Sequence, residues 1–275
     1  MAISTYLMQQ IVDLVFGGTD YVQPTTISVE LWNATAETTY TGYVAQTLTV
    51  GTTDFAAAVA DGVDHSISPA NAITFPGPTA DPSSEEAITR VRLYDDESTP
   101  NLLWEIPLDA SKILSQGDDV TISQGDLDLK IGGSCFSDAV EAAVLNHIFR
   151  GVDYTAPANL FFDIYDDGAV PATNGTGGTL TDYGSYAQQS VTNNTTNFPN
   201  GTVNASNVEK ATGAAINFPD ATGNATNNAG EVAVWAEAAR TNLVAIFAFT
   251  AKPIQNGDTV SIPSGQQFLT ITPSN

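Results

Sequence analysis

The sequence predicts a mainly β protein built as two tandem β-sandwich modules, each preceded by a short N-terminal amphipathic helix. Three observations carry that prediction. Aromatic and β-branched residues are plentiful, while the long Ala/Leu/Glu/Lys-rich runs of helical proteins are missing. Short alternating runs recur between Gly- and Pro-bearing turns, the pattern of a sandwich. One octet also occurs twice: GGTDYVQP from Gly17 to Pro24 returns as RGVDYTAP from Arg150 to Pro157. Gly18, Asp20, Tyr21 and Pro24 match Gly151, Asp153, Tyr154 and Pro157, with a helix-like run before each octet and a strand-like run after it.

In the first copy, residues 1–132, Tyr6, Leu7, Gln10, Ile11, Leu14 and Val15 fall at helical spacing. Ser4 or Thr5 is placed to cap that helix, and Gly17-Gly18 to end it. Ile27, Val29 and Leu31 alternate with Ser28, Glu30 and Trp32 as a half-buried strand. Further strands are expected over 43–50, 72–75, 87–94 and 102–108, with a closing hairpin of 119–122 and 127–131. The stretch 51–86 otherwise reads as loop, and Gly132-Gly133-Ser134 as a linker.

The second copy, residues 133–275, repeats the landmarks in the same order. Ser137 caps a helix with Asp138 in its first turn, and Leu160 to Tyr165 aligns with the strand from Ile27. Tyr186 and Gln189 match Tyr43 and Gln46. Ile216 to Pro219 matches Ile73 to Pro76, and Gly257 to Ile262 matches Gly117 to Ile122. The long Asn/Thr/Gly-rich stretches 168–181 and 193–230 read as loops.

The chain of 275 residues has 31 acidic and 8 basic side chains, a formal net charge of -23. Nucleic-acid binding rests on Lys and Arg meeting phosphates, so this surface argues against it. The same balance suits high salt, and a halophilic or marine source is an expectation. The N-terminal run lacks a basic start and is broken by Gln9, Gln10 and Asp13, so neither a signal peptide nor a membrane span is expected there. The Asn-x-Ser/Thr triplets concentrated between Asn174 and Asn224 accordingly read as composition.

No pattern of catalytic, metal or cofactor chemistry stands out. Cys135 is the only cysteine, which excludes an internal disulfide and a multi-thiolate zinc site, and it reads as a spectator thiol. Asp118, Asp119, Asp126 and Asp128 lack calcium-loop spacing and read as solvated acids. Glu30 and Asp163 share a strand phase and read as edge-protecting or solvent-facing carboxylates rather than a glycosidase pair. His65 is expected in a polar loop and His147 in a helix. Tyr21 and Tyr154 read as corner packing, while Trp32 and Tyr165, on the outward phase of matched strands, are candidates for contact with a neighbour.

Those landmarks resemble a family of small tailed-phage structural proteins, known as tail fibre proteins or virion decoration subunits. The resembling elements are Gly18 to Pro24, Val29 to Trp32, Gly42 to Gln46, Ile73 to Pro76 and Gly117 to Ile122, each repeated in the second copy. Family members commonly carry a basic residue after the Gly-Tyr element, where Gln46 and Gln189 stand here. The resemblance implies a non-enzymatic β-sandwich component of a virion assembled in a host cytoplasm. Its expected role is capsid decoration or turret subunit, with tail fibre or baseplate component as one alternative and a receptor- or carbohydrate-binding module as the other. The implied partners are copies of itself, as trimer or pentamer, and virion proteins such as the major capsid protein, without nucleic acid or membrane.

Overall fold

The computed structural model describes residues 2–62, 64–82, 87–131, 135–205 and 207–271. The expected linker at 132–134, which holds the boundary between the copies, lies outside them. The first copy runs β1 (Ala2–Ile3), α1 (Thr5–Val15), β2 (Thr26–Trp32), β3 (Gln46–Thr49), β4 (Val59–Asp61), β5 (Asp64–Ile67), β6 (Ile73–Phe75), β7 (Ile88–Tyr94), β8 (Leu102–Lys112), β9 (Val120–Ile122) and β10 (Leu129–Ile131). The second runs α2 (Asp138–Arg150), β11 (Asn159–Asp166), β12 (Gln189–Thr192), β13 (Thr202–Asn204), β14 (Asn207–Ala211), β15 (Ile216–Asn217), β16 (Ala229–Trp235), β17 (Leu243–Lys252), β18 (Ser261–Ile262) and β19 (Gln267–Ile271).

Among the described residues each copy has one large antiparallel sheet and two small ones. The large sheets are ordered β1-β8-β7-β2-β3 and β12-β11-β16-β17. In the second, Phe136 bridges Ala245 where β1 borders β8 in the first. The small sheets are β10-β5-β4 with β6-β9, and β13-β14-β19 with β15-β18. Ile27, Val29 and Leu31 are buried as their alternation predicts. The closing segments differ from the expected hairpin: β9 pairs with β6 and β10 with β5, not with each other. Strands β4, β5, β13 and β14 lie in stretches that read as loop, and His65 stands in β5 rather than in a loop.

The expected strand from Tyr43 begins only at Gln46, because the tyrosine serves another purpose. Leu31 donates its N–H to the Tyr43 hydroxyl at 2.9 Å, on the edge that β3 is too short to cover. Ile164 donates likewise to Tyr186 at 3.0 Å. Tyr43 stacks on Phe75 (centroids 6.3 Å, planes 9° apart) and Tyr186 on Phe218 (6.3 Å, 16°). The Gly-Tyr and Ile-x-Phe-Pro elements found in the sequence are thus two halves of one repeated contact.

The helices begin as expected. Leu7 donates its N–H to Ser4 Oγ at 3.1 Å and Val140 to Ser137 Oγ at 3.3 Å. α2 ends on Gly151, left-handed at φ 64°, a conformation costly for a side chain with a Cβ. α1 closes at Phe16, and Gly18 (φ 61°) follows in the equivalent conformation.

Both helices start on their own large sheet and end in the other copy. Ser4 donates its N–H to Leu103 and Ser137 to Val244, anchoring the two starts. α1 then packs on β13 and β14, and α2 on β4 and β5. Phe16, at the end of α1, meets Phe136 and Phe198 of the second copy, both at 6.1 Å between centroids. Phe149, at the end of α2, meets Phe55 (5.1 Å) and Trp104 (5.5 Å) of the first. One continuous cluster of buried apolar side chains therefore spans both copies. The helices thus make a reciprocal exchange between the copies, which hides each helix's wide apolar face on two sides.

The two exchanged contacts are alike in shape and unlike in charge. Asp13 of α1 accepts from the Gly201 N–H at 2.6 Å and from Lys210 Nζ of β14 at 2.7 Å. Lys210 is completely buried and Asp13 nearly so. Burial holds the Lys210 pKa below its ordinary value, with Asp13 pulling the other way. In α2 the position of Asp13 is held by Asn146, whose Oδ1 accepts from the Ala58 N–H at 3.2 Å. Lys210 lies opposite Leu269, and in the first copy the residue opposite Leu129 is Ile67. Two first copies paired together would set Asp13 against Ile67, and two second copies would leave Lys210 without a carboxylate. Only unlike copies satisfy both charges.

Removing one member of a buried ion pair typically costs about 3–5 kcal/mol. Asp13→Asn is expected to destabilise the protein in that range by urea unfolding. Adding Lys210→Ile, which installs the pair native to the other contact, is expected to recover most of the loss. Equal stability of the single and double variants would refute the pairing argument.

Candidate interaction faces

The repeated octet is a joint on both sides of the exchange. Gly18 and Gly151 make the turns out of the helices, and Asp20 and Asp153 are exposed. Tyr21 is buried edge-on against His147 of the second copy (centroids 6.3 Å, planes 65° apart). Tyr154, half-buried, lies 6.5 Å from the same ring and donates its N–H to His147 Nδ1 at 3.2 Å. Gln23 crosses from the first octet to donate to the His147 carbonyl at 2.7 Å. Pro24 is buried and Pro157 half-buried. Burial raises the Tyr21 phenol well above its ordinary range and pushes that of Tyr154 up to about 12, so both stay protonated.

The outward faces of the large sheets are where the copies part. On the first, Arg92 reaches Glu105 with Nε at 2.7 Å and Nη2 at 2.6 Å, and Arg90 Nη1 joins the same carboxylate at 3.1 Å. The Arg92 guanidinium lies over the Trp32 ring at 4.0 Å, and Trp32 Nε1 donates to Glu30 at 2.9 Å. Glu30 and Arg92 are cross-strand partners, as are Arg92 and Glu105. This face is ordered by its own ion pairs and stays partly open to solvent.

On the second copy the same face is covered. Tyr165, matched in sequence to Trp32, is buried with Trp235 and Leu243 under the 168–181 segment, forming a small core of its own. Trp32 bridges Glu37 a few residues on, whereas Tyr165 bridges Leu180 across that whole segment. Asp163, expected to face solvent, is completely buried. It accepts from Arg240 Nε at 2.6 Å and Nη2 at 2.8 Å, the Tyr186 hydroxyl at 2.5 Å and Gln188 Nε2 at 2.6 Å. Arg240 holds a left-handed backbone (φ 57°) to make that bidentate contact. Of the pair Trp32 and Tyr165, only Trp32 stays partly accessible.

Other residues weighed from the sequence take structural places. Burial pushes the Cys135 thiol up to about 12, which suppresses its thiolate. Asp118 Oδ2 accepts from the Ser115 N–H at 2.8 Å and closes a turn. Sequence reading missed that His65 lies 3.6 Å from Glu141 of α2, another contact between the copies. Among the described residues no helix is long and apolar enough to cross a membrane.

Two copies of one helix-and-sheets unit, locked by exchanged helices and differing in their outward faces, define a tandem-repeat structural protein. The chain belongs to the family described as Podophage GP4 fiber I protein gp80, which matches residues 2–130 and again residues 135–270. Each match covers one copy, so the duplication read from the octets is a duplication of the family unit. It is a structural protein of a phage virion. None of the curated proteins compared with the chain matches it.

The arginine pair holds the Glu105 pKa below its ordinary 4.5 against the opposing effect of burial. A carboxylate lowered in the folded state stabilises above its unfolded pKa, and that contribution fades as pH falls through the folded value. Glu105→Gln is therefore expected to narrow the stability gap to wild type as pH drops from 6 to 3, read by thermal melting at each pH. A gap that is constant across that range would refute the assignment.

Proposed function

We propose that the protein is a non-enzymatic component of the podophage tail fibre that works by assembly. The observation that carries this reading is the fibre-family match over both copies. It favours the tail over the capsid-decoration role that the sequence suggested. Each copy supplies a rigid sheet, and the exchange welds the two into one asymmetric building block with a covered and an uncovered side. The uncovered side, with Trp32, Arg92 and Glu105, offers what assembly contacts favour: an aromatic and an arginine held in place before binding. Its partners in this reading are further copies of the chain and neighbouring virion proteins.

Labelling intact particles with a gold-tagged antibody against the chain is expected to mark the tail. Label spread over the capsid shell would favour decoration, and absence from purified particles would overturn a virion role. Trp32→Ala combined with Arg92→Ala is expected to keep the melting temperature within a few degrees. The same variant is expected to reduce incorporation into particles several-fold, measured by quantitative gel analysis.

A further inference from the structure

Asp166 ends β11 beside a bulge in its pairing with β16. Its carboxyl is buried, the residue being 6% exposed. Oδ2 accepts from Asn227 Nδ2 at 2.9 Å, but Oδ1 has no hydrogen-bond donor. A buried carboxylate oxygen without a donor is costly, and native structures resolve such a group with an ion, a water or a proton. The residue borders an open pocket of about 410 Å³ formed by Asp166, Asp167, Ala169, Thr179, Asn227 and Asn228. The six lining residues include two aspartates, two asparagines and a threonine, and none is basic. Three of these residues also have main-chain carbonyls with acceptor capacity to spare. Those of Asp166, Ala169 and Asn228 accept from Ala169, Thr179 and Asp167 at 2.9, 2.7 and 2.8 Å, each keeping a second lone pair.

We propose that this pocket is a calcium site. An all-oxygen set of acidic side chains, amides and carbonyls suits a hard divalent cation. Nitrogen and sulfur ligands, which zinc prefers, are absent from the lining. The mixed and irregular arrangement suits calcium, which accepts six to eight oxygens, better than magnesium, which demands an octahedron. Asp166 and Asp167 supply the anionic charge, with Asn227, Asn228 and Thr179 as neutral oxygen donors.

The cation would join three segments: the end of β11, both ends of the 168–181 segment, and the turn at 227–228. That segment covers Tyr165, Trp235 and Leu243, and its start is already tied down by Gly168, which donates to Glu231 at 2.9 Å. Calcium would therefore hold the cover of the second sheet. Among the described residues the first copy shows a different arrangement at the end of β2. Asn33 stands in the place of Asp166, and its Oδ1 is satisfied by the N–H groups of Thr35 and Ala36, both at 2.8 Å.

The test uses the full chain, stripped with chelator and titrated with calcium or magnesium by calorimetry and thermal melting. One equivalent of calcium is expected to bind at about 10⁻⁴–10⁻³ M, as in extracellular modules. Saturation is expected to raise Tm by about 3–5 °C, with magnesium weaker. Asp166→Asn, which keeps the shape, is expected to abolish the shift, and Asp118→Asn to leave it intact. Should Asp166→Asn fold poorly, Asp167→Asn, whose residue is exposed, is expected to weaken binding about tenfold or more. No saturable binding by about 10 mM calcium would overturn the proposal, that range lying beyond such sites. So would a calcium shift retained in both variants, or an equal response to sodium at matched ionic strength, which would mark general screening of the acidic surface.

Discussion

Each helix leaves its own sheet and delivers a phenylalanine into the other copy, and most of the structure depends on that exchange. Phe16 and Phe149 are completely buried among aromatics they could not reach if the copies folded apart. Truncating such a side chain typically costs about 3–5 kcal/mol, so the two account for much of a domain's net stability. The octets follow from this geometry. A glycine must reverse the chain at the helix end, and tyrosines must fill the space around His147 that the crossing opens.

Duplication ordinarily leaves two interchangeable surfaces, and here they are told apart. The Asp13–Lys210 pair sits in one exchanged contact while the other has Asn146 and Ile67. A buried charge is tolerable only against its partner, so the pair specifies which helix seats on which sheet. A similar divergence separates the outward faces. Arg90, Arg92 and Glu105 keep the first polar and open, whereas the 168–181 segment converts the second into a small apolar core around a buried Asp163.

Much of the fold was legible in the sequence, and so was the duplication. The helix caps Ser4 and Ser137, the alternation at Ile27, Val29 and Leu31, and the order of the landmarks all express local rules. Capping needs an oxygen within one turn, and a half-buried strand needs a period of two. The missed strands β4, β5, β13 and β14 are rich in Asp, Asn, His and Thr because much of what they bury lies against the other copy's helix. Their local composition resembles loop. The supposed closing hairpins failed for a related reason: strands adjacent in the chain were assigned to different sheets by long-range packing.

The candidate contacts divide along the same line. Sequence alone determined that Trp32 and Tyr165 are equivalent, that Tyr21 and Tyr154 belong to a joint, and that the unit is repeated. Each of these follows from spacing along one chain. Only the tertiary structure decided that Tyr165 is covered and Trp32 partly open, that Lys210 answers Asp13, and that an Asp166 oxygen is buried without a donor. Those outcomes depend on residues tens to hundreds of positions apart, and whether a side chain meets water, a carboxylate or an aromatic ring is settled by what folds over it.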